Sequence, residues 1–267
     1  MEEAARKPLR DERPRFLLRE MRSACASSPN MWKWTLPAWA GKMDADGRNY
    51  NACPSAGICK DLCFARHGTF KIPSTRQAHQ RNLRYVMDDL AGWEQQLTEE
   101  LHHRRYQHPK TYCRIHDSGD FYSPEYLHAW LRIIRAHPAI TFYAYTKQIA
   151  EFKEIVCPDP PPNFHWRFSY GGTQDHLIEP GDPHVDVFPT NAALEEAGYT
   201  SQEPSDLLAI YAPETLGIPA NNHRHLKKRQ GAHTFRALQR AADEKAAQPR
   251  AKRRGPASTR PGAKRRT

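Results

Sequence analysis

The stretch from Lys110 to Lys147, KTYCRIHDSGDFYSPEYLHAWLRIIRAHPAITFYAYTK, constrains the fold more than any other part of the sequence. TYCRIH has the composition of a strand, and DSGDFY has that of a turn. Ser123 is suited to cap a helix whose first position is Pro124, and this helix should end near His137. AITFYAY then predicts a second strand. Because a helix joins the two strands, they form a βαβ unit, and the sequence predicts parallel pairing in an α/β domain.

Other elements are indicated by local patterns on both sides of this unit. MWKWTLP, from Met31, predicts a short strand, and FHWRFSY, ending at Tyr170, predicts a third strand of the sheet. A helix should begin at Ser74, because leucines and a methionine recur at multiples of three or four residues. These residues are Leu83, Met87, Leu90, Leu97 and Leu101. Beyond Gly172 the pattern is weaker and predicts one possible strand in LIEPGDPHVDVFPT and a short helix in SDLLAIYAPETLGIP.

The positive charge of the chain is concentrated at its C-terminal end. Residues 223–267 hold 15 Lys and Arg against two acids, whereas the other 222 residues carry 25 basic and 28 acidic side chains, a net of −3. The final residues, RAKRRGPASTRPGAKRRT, show no apolar periodicity and predict a disordered tail. Such a tail should bind nucleic acid through its phosphates, and a solubilising terminus is the alternative. We therefore divide the chain into a charged N-terminal arm (1–30), a central α/β domain (31–222) and a basic C-terminal tail (223–267).

The sequence shows neither a signal peptide nor a membrane-spanning run, and from this we predict the cellular compartment. The N-terminal residues MEEAARKPLRDERPRF are charged throughout and do not resemble a signal peptide. No apolar run approaches the ~20 residues that are needed to cross a bilayer. We expect a soluble cytoplasmic protein without a membrane partner. In a reducing compartment, clustered cysteines favour metal binding or catalysis over disulfides.

Three of the six cysteines lie within eleven residues, at Cys53, Cys59 and Cys63, in the loop-like segment NACPSAGICKDLCFARHGTF. Their spacing is C-x5-C-x3-C, and His67 follows four residues later. Three thiolates on one irregular loop can hold three corners of a [4Fe–4S] cluster and leave the fourth iron open to a small molecule. The same three thiolates with His67 could instead form a closed Cys3His zinc site. A third interpretation is that the cysteines are free and structural.

Polar residues follow each of the three predicted parallel strands. The first strand is followed by Asp117 to Asp120, and the second ends in Thr146 and Lys147. The third is followed by Gly171 and Gly172. Turns alone are rich in Asp, Ser and Gly, but three such strand ends in succession favour a site, because functional groups gather at the carboxyl ends of parallel strands.

Three segments, LPAWAGKMDADGRNYNACPSAGICKDLCFARHG, RIHDSGDFYSPEYLHAWLRI and FYAYTK, resemble the phage gene-product-88 domain family over roughly Trp32 to Gly172. That family in turn resembles, distantly, the radical S-adenosylmethionine enzymes. In those enzymes a three-cysteine loop after the first barrel strand binds the cluster, and a glycine–acid motif after the second strand binds the methionine amino group. The usual cysteine spacing there is C-x3-C-x2-C, which differs from the spacing in this chain.

The resemblance implies a partial parallel (β/α) barrel-like domain with disordered charged termini. It implies that Cys53, Cys59 and Cys63 bind a [4Fe–4S] cluster. It also implies an S-adenosylmethionine site, whose residues are Ser118, Gly119, Asp120, Thr146 and Lys147. Within that site the Asp120 carboxylate would pair with the ammonium of the cofactor, and Lys147 with a carboxylate or phosphate.

The function that these expectations describe is an iron–sulfur protein of phage type. It would resemble radical S-adenosylmethionine enzymes and act on or near nucleic acid, in the host cytoplasm if a phage encodes it. The alternative is a zinc-binding Cys3His protein that binds nucleic acid without catalysing a reaction. In that alternative His67 is the fourth metal ligand.

Overall fold

The computed structural model describes residues 14–21, 30–213, 215–220 and 224–248. The predictions for the rest of the charged N-terminal arm and for the end of the basic tail, residues 249–267, lie outside the described residues. In the described part of the chain, no helix is long and apolar enough to span a membrane.

Strands and helices alternate along most of the chain. The strands are β1 (Arg19–Glu20), β2 (Met31–Trp34), β3 (Ala40–Lys42), β4 (Asn49–Asn51), β5 (Thr111–Ile115), β6 (Ile140–Thr146), β7 (Phe164–Ser169), β8 (His184–Phe188), β9 (Thr200–Ser201) and β10 (Thr215–Pro219). The helices are α1 (Cys59–Leu62), α2 (Pro73–Asp88), α3 (Leu90–Leu101), α4 (Pro124–Ala136), α5 (Ile149–Glu151), α6 (Asn191–Glu196), α7 (Leu208–Tyr211), α8 (Arg224–Gln230) and α9 (Phe235–Ala247).

Eight of the strands form one sheet in the order β1-β2-β5-β6-β7-β8-β10-β9. Every neighbouring pair is parallel except β1 with β2. The predicted βαβ unit is confirmed, since β5 and β6 pair in parallel with Cys113 opposite Phe142, and α4 joins them. The Ser123 side chain caps α4 by accepting from the N–H of Tyr126. Among the described residues β1 and β9 are the edge strands of the sheet, so the predicted partial α/β barrel-like fold is confirmed as an open sheet and not a closed barrel.

One face of the sheet packs against α2, α3 and α4. Three buried indoles lie at the centre of this core, with Trp93 between Trp34 (ring centroids 5.6 Å apart) and Trp130 (5.1 Å). The Nε1–H of Trp34 donates to the hydroxyl of Tyr126 at 2.8 Å, which satisfies a polar atom that burial would otherwise leave unpaired. The strands therefore carry alternating residues into a large aromatic core, as period-2 patterns predict.

The opposite face of the sheet carries a smaller apolar cluster and several charged groups. Met31, Tyr112 and Tyr143 pack there against Ala209 of α7. The guanidinium of Arg167 on β7 donates to the carbonyls of residues 209, 212 and 213, each at 2.8 Å. These bonds satisfy carbonyls that the end of a short helix leaves without partners, and they hold α7 over the sheet.

The long helix predicted from Ser74 is interrupted. The structure contains two helices, α2 and α3, because Asp89 leaves the helical conformation and its carboxylate accepts from the N–H of Gly92 at 2.8 Å. Apolar spacing continued across this break, so periodicity did not reveal it. Met87, which was expected on the apolar face, is 41% exposed.

Both ends of the central domain extend further than the sequence divisions. Leu17 and Leu18, in the segment predicted to be a charged arm, are buried, and their backbone N–H groups bond the carboxylate of Glu100. In the segment assigned to the basic tail, α8 and α9 are helical, and Phe235 and Gln239 are buried. Charge dominates the composition of both segments, but a few apolar residues in each reach the core.

The weakly patterned region after Gly172 completes the sheet. The possible strand there is β8, and the short helix is α7. The structure adds α6 and β10, which the sequence did not indicate. β10 pairs with β8 in parallel, with Leu216 opposite Val185.

Candidate cofactor site

A cavity of about 340 Å³ lies at the carboxyl ends of the parallel strands, between the sheet and the cysteine loop. All eight residues that the sequence assigned to the cluster and to S-adenosylmethionine line this cavity. They are Cys53, Cys59, Cys63, Ser118, Gly119, Asp120, Thr146 and Lys147. Among the described residues that line it, His67 does not occur. The tertiary structure thus brings the two predicted groups together and leaves the fourth ligand of the zinc alternative outside.

The cysteine loop is held by backbone hydrogen bonds. The N–H of Cys59 donates to the carbonyl of Gly171 after β7, at 3.0 Å. The N–H of Trp39 donates to Cys53 Sγ at 3.4 Å, and Trp39 has a φ of 55°, which is uncommon for a residue other than glycine. The position of the cysteine loop therefore depends on hydrogen bonds to the turn after β7 and to Trp39, a strained residue just before β3.

Burial dominates the acid–base chemistry of the thiols. It raises the pKa of Cys53 well above the ordinary value, and the neighbouring carboxylate of Asp120 adds to this effect. Burial also raises the pKa of Cys63 to about 11, and the neighbouring Cys59 contributes. Without a cation, burial therefore favours the protonated thiols of Cys53 and Cys63. Bound metal reverses this preference, because a coordinated thiol loses its proton.

In the described part of the chain, no three His, Cys, Asp or Glu side chains are placed so that they could hold a single metal ion. The three thiols line one cavity together with Asp120, Thr146 and Lys147.

Asp120 connects the ends of β5 and β6. Its Oδ1 accepts from the hydroxyl of Thr146 at 2.7 Å and from the N–H of Phe121 at 2.8 Å. Its Oδ2 accepts from the N–H of Lys147 at 2.9 Å. Burial raises the pKa of this carboxyl group, and the three hydrogen bonds oppose that shift. A carboxylate has about four acceptor sites, so Asp120 keeps capacity for one further donor.

Ser118 and Gly119 lie against the chain that leaves β2. The Ser118 hydroxyl donates to the carbonyl of Leu36 at 2.5 Å, and the N–H of Leu36 donates back to the Ser118 carbonyl at 3.0 Å. Gly119 has a φ of 85°, and a Cβ on it would lie 2.6 Å from Leu36 Cβ. Only glycine fits this conformation and this approach without strain.

Lys147 is buried, with 9% of the residue exposed, and it lines the cavity. It donates to the carbonyls of Ser169 (3.1 Å) and Tyr170 (3.0 Å) and to the Ser169 hydroxyl (2.5 Å). These contacts use all three of its N–H donors. Binding a carboxylate or phosphate would therefore exchange one of these neutral acceptors for a charged one.

The two residues that precede Ser118 have other partners. His116, with a φ of 69°, is buried against Phe121 and Tyr126, and its Nε2 lies 2.9 Å from the Tyr126 hydroxyl. Asp117 forms an ion pair with Lys33. The turn after β5 thus packs one ring against aromatic side chains and holds one carboxylate in an ion pair, and both residues also line the cavity.

The sequence analysis missed a helix that covers the site. This helix is α9, whose Gln239 accepts a hydrogen bond from the N–H of Ile58 at 2.7 Å and whose Phe235 lines the cavity. Leu226 of the preceding helix, α8, also lines the cavity. The sequence contains one weak local signal for the start of α9. Thr234 is a residue type that caps helices, and in the structure its side chain accepts a hydrogen bond from the N–H of Ala237. The polar inner wall was missed as well, and it contains Arg114, Gln202 and Asp206.

Comparison with known proteins supports the resemblance noted in the cysteine loop and the βαβ unit. The sequence profile of the family "Gene product 88" matches residues 15–250. The chain belongs to the gene product 88 family. Two phage proteins are similar to part of the chain. The Gene 88 protein of Mycobacterium phage L5 is 35% identical over 107 residues, which cover 36% of this chain and 43% of the relative.

The Gene 88 protein of Mycobacterium phage D29 is 51% identical over 39 residues, 15% of this gene product 88 chain and 16% of the relative. The chain thus spans less than half the length of either curated relative. No solved structure matches this gene product 88 protein. The family is established by the match over residues 15–250, and the chemistry of the site has to be argued from its geometry.

Proposed function

We propose that this gene product 88 protein is an iron–sulfur protein that binds a [4Fe–4S] cluster through Cys53, Cys59 and Cys63 and S-adenosylmethionine beside it. The observation that carries the proposal is the single cavity, which all three thiols share with the polar ends of β5 and β6. Three protein thiolates leave one iron of such a cluster open to an exogenous ligand. When bound, the cluster would supply one electron for reductive cleavage of S-adenosylmethionine.

The residues of this chain would bind and orient the cofactor. Asp120 has one acceptor site free and would receive a hydrogen bond from an ammonium group. Gly119 allows the turn after β5 to pack closely against Leu36 in a positive-φ conformation, and it lines the cavity beside Asp120. Lys147 would exchange one neutral acceptor for a carboxylate. The radical S-adenosylmethionine-like activity of the whole protein is part of this proposal.

The nucleic-acid part of the proposal is supported by charge. Residues 249–267 hold eight Lys and Arg and no acid, so the chain ends in a cationic segment that phosphates attract. In this view the tail keeps the cluster domain near DNA or RNA in the host cytoplasm, with no role for a membrane. The zinc alternative remains an outcome of the test below, although His67 does not lie on the cavity among the described lining residues.

Anaerobic purification followed by iron, zinc and acid-labile sulfide analysis tests the cluster. We expect about four iron and four sulfide per chain and a loss of both in Cys53→Ala, Cys59→Ala or Cys63→Ala. Cys157→Ala is the matched control, because this cysteine is exposed and distant in sequence from the loop. One zinc per chain without sulfide would contradict the iron assignment and support the Cys3His site.

Calorimetric titration of the cluster-containing protein with S-adenosylmethionine tests the cofactor. Asp120→Asn keeps the size of the side chain but removes its charge, and we expect it to weaken binding by at least about tenfold. Formation of 5′-deoxyadenosine with dithionite as reductant would distinguish an enzyme from a binding protein. Equal affinity of Asp120→Asn and the unaltered protein would remove Asp120 from the site.

A further inference from the structure

The outer rim of the cavity combines one exposed and one half-buried aromatic residue with cations. Trp39, Lys60 and Phe64 all line the cavity, and Phe64 is 43% exposed. The Lys60 ammonium lies 5.8 Å from the centroid of the Trp39 ring, and the Arg66 guanidinium lies 5.2 Å from it. The cysteine loop therefore presents ligands to the cavity on one side and a cationic, aromatic surface to solvent on the other.

Helix α8 adds three further cations next to this rim. Leu226 of α8 lines the cavity, and α8 packs against α1, which carries Lys60. The residues that follow it, Lys227, Lys228 and Arg229, are exposed. With Lys60 and Arg66 they make five cations, and Asp61 is the acid on the same segments. We call these five cations together with Trp39 and Phe64 the cavity rim.

The cations of the cavity rim differ from many others on the surface in having no acidic partner. Helix α4 gives two examples of paired cations. Arg132 pairs with Glu94 of α3 at 2.7 Å, and Arg135 pairs with Asp159 at 2.9 Å. Within the described part of the chain, none of the five rim cations forms an ion pair. Unpaired like charges repel one another, so this surface is more favourable when an anionic partner covers it.

We propose that the cavity rim binds the phosphates of single-stranded nucleic acid and stacks an unpaired base on Phe64 at the mouth of the cavity. This inference deepens the proposed function and rests on it, since it names the partner class of the same site. Cations that follow a backbone and exposed aromatic rings that stack bases are the two features of single-strand binding surfaces. A duplex keeps its bases stacked inside, so it could use the cations but not the ring.

Fluorescence anisotropy with a labelled single strand of about 12 nucleotides, and with its duplex, tests this inference on the full-length protein. Phe64→Leu keeps an apolar side chain but removes the ring. We expect it to weaken single-strand binding by about 5- to 100-fold and duplex binding by less than about twofold. Equal effects on the two probes, or no effect on either, would overturn the stacking contact.

The double variant Lys227→Ala/Lys228→Ala tests the cations. Losing two phosphate contacts should make the slope of log affinity against log salt shallower by about 1.4 for the single strand. Arg132→Ala/Arg135→Ala removes the same charge from the opposite face of the protein and is the matched control. Identical slopes for the two double variants would show that only net charge matters, and the rim would then be rejected as an interface.

Iron and sulfide content, measured on every variant, separates this inference from the proposed function. If the rim variants keep the cluster but bind the single strand as the unaltered protein does, the rim inference fails and the cluster proposal stands. If the unaltered protein contains no cluster but Phe64→Leu still weakens single-strand binding selectively, the proposed function fails and the interface stands.

Discussion

The backbone N–H of Ile58 donates to Oε1 of Gln239 at 2.7 Å, across a separation of 181 residues. Gln239 is 4% exposed and also donates from Nε2 to Asp243 at 2.8 Å. A Cβ placed on Gly57 would lie 1.9 Å from the same Oε1. One glutamine of the last described helix thus determines how closely the cysteine loop can approach it, and glycine at position 57 makes that approach possible.

Replacing Gln239 with alanine should loosen the cysteine loop. The partly buried N–H of Ile58 would lose its acceptor, which costs about 1 kcal/mol of unfolding free energy. Denaturant unfolding measures this loss, and hydrogen exchange at Ile58 should become faster. Gln77→Ala, at an exposed position of α2, controls for shortening a helical glutamine. If Gln239→Ala and Gln77→Ala were equally stable, the hydrogen bond would have no role in the fold.

Gly119→Ala should destabilise the protein more than Gly181→Ala does. Both glycines have positive φ, 85° and 95°, so each alanine adds about 1–3 kcal/mol of backbone strain. At Gly119 the new Cβ would also overlap Leu36, whereas nothing lies within 4 Å of a Cβ at Gly181. We expect a further loss of about 1–3 kcal/mol from that overlap. Thermal or denaturant unfolding of the two variants gives the difference.

A double-mutant cycle checks the origin of that difference. The atom of Leu36 that a methyl group at position 119 would meet first is its Cβ, and Leu36→Gly removes that atom. In this background Gly119→Ala should therefore destabilise the protein by less than it does alone. Strictly additive losses would mean that the contact with Leu36 does not limit the residue at position 119.

His116 should make stability fall as the solution becomes acidic. Burial, with a contribution from the charge of Arg114, lowers the pKa of His116 to about 3, whereas an unfolded histidine has a pKa of about 6.5. Below pH 6.5 the unfolded chain therefore binds a proton that the folded protein does not. Stability is fully present above that pH and decreases by about 2 kcal/mol between pH 7 and pH 5 from this group alone.

Denaturant unfolding of His116→Gln at both pH values measures this contribution. We expect the variant to lose about 2 kcal/mol less than the unaltered protein between pH 7 and pH 5, because its side chain does not titrate. His128→Gln, at an exposed position of α4, controls for removing an imidazole. Carboxyl groups titrate equally in all three proteins. If the stability of His116→Gln changed with pH as that of the unaltered protein does, His116 would not be neutral in the folded protein.

Deleting residues 249–267 should weaken nucleic-acid binding and leave the fold and the metal and sulfide content unchanged. The deletion removes eight basic residues and lies beyond the end of α9. A tail that makes about five phosphate contacts contributes a slope of about −4.5 to log affinity against log salt on duplex DNA. Gel-shift titrations at several salt concentrations measure that contribution.

A full-length protein with the same tail residues in scrambled order is the matched control. Flexible point charges do not read base edges, so scrambling should preserve both the affinity and the lack of base preference. If the truncated and full-length proteins bound equally, the tail would be a solubilising terminus.

Strong local signals predicted the centre of the fold. β5, α4 and β6 follow from alternation, from the Ser123 cap and from Pro124 at the first helical turn, and these signals involve neighbours in the sequence. The break between α2 and α3 was not visible, because apolar spacing continues through Asp89 and only its side-chain hydrogen bond marks the new helix. Likewise, composition placed Leu17 in a charged arm, although its side chain and backbone are buried against α3.

By itself, the sequence determined a parallel α/β sheet, a cysteine loop and polar strand ends, because each depends on residue types at short, regular spacing. Only the tertiary structure decided that the thiols and Asp120 share a cavity, that His67 is absent from its described lining and that α9 covers the loop. The hydrogen bond between Ile58 and Gln239 shows the physical reason. Contacts between groups far apart in the chain depend on how the whole sheet and its helices pack, and they leave no periodic pattern near either residue.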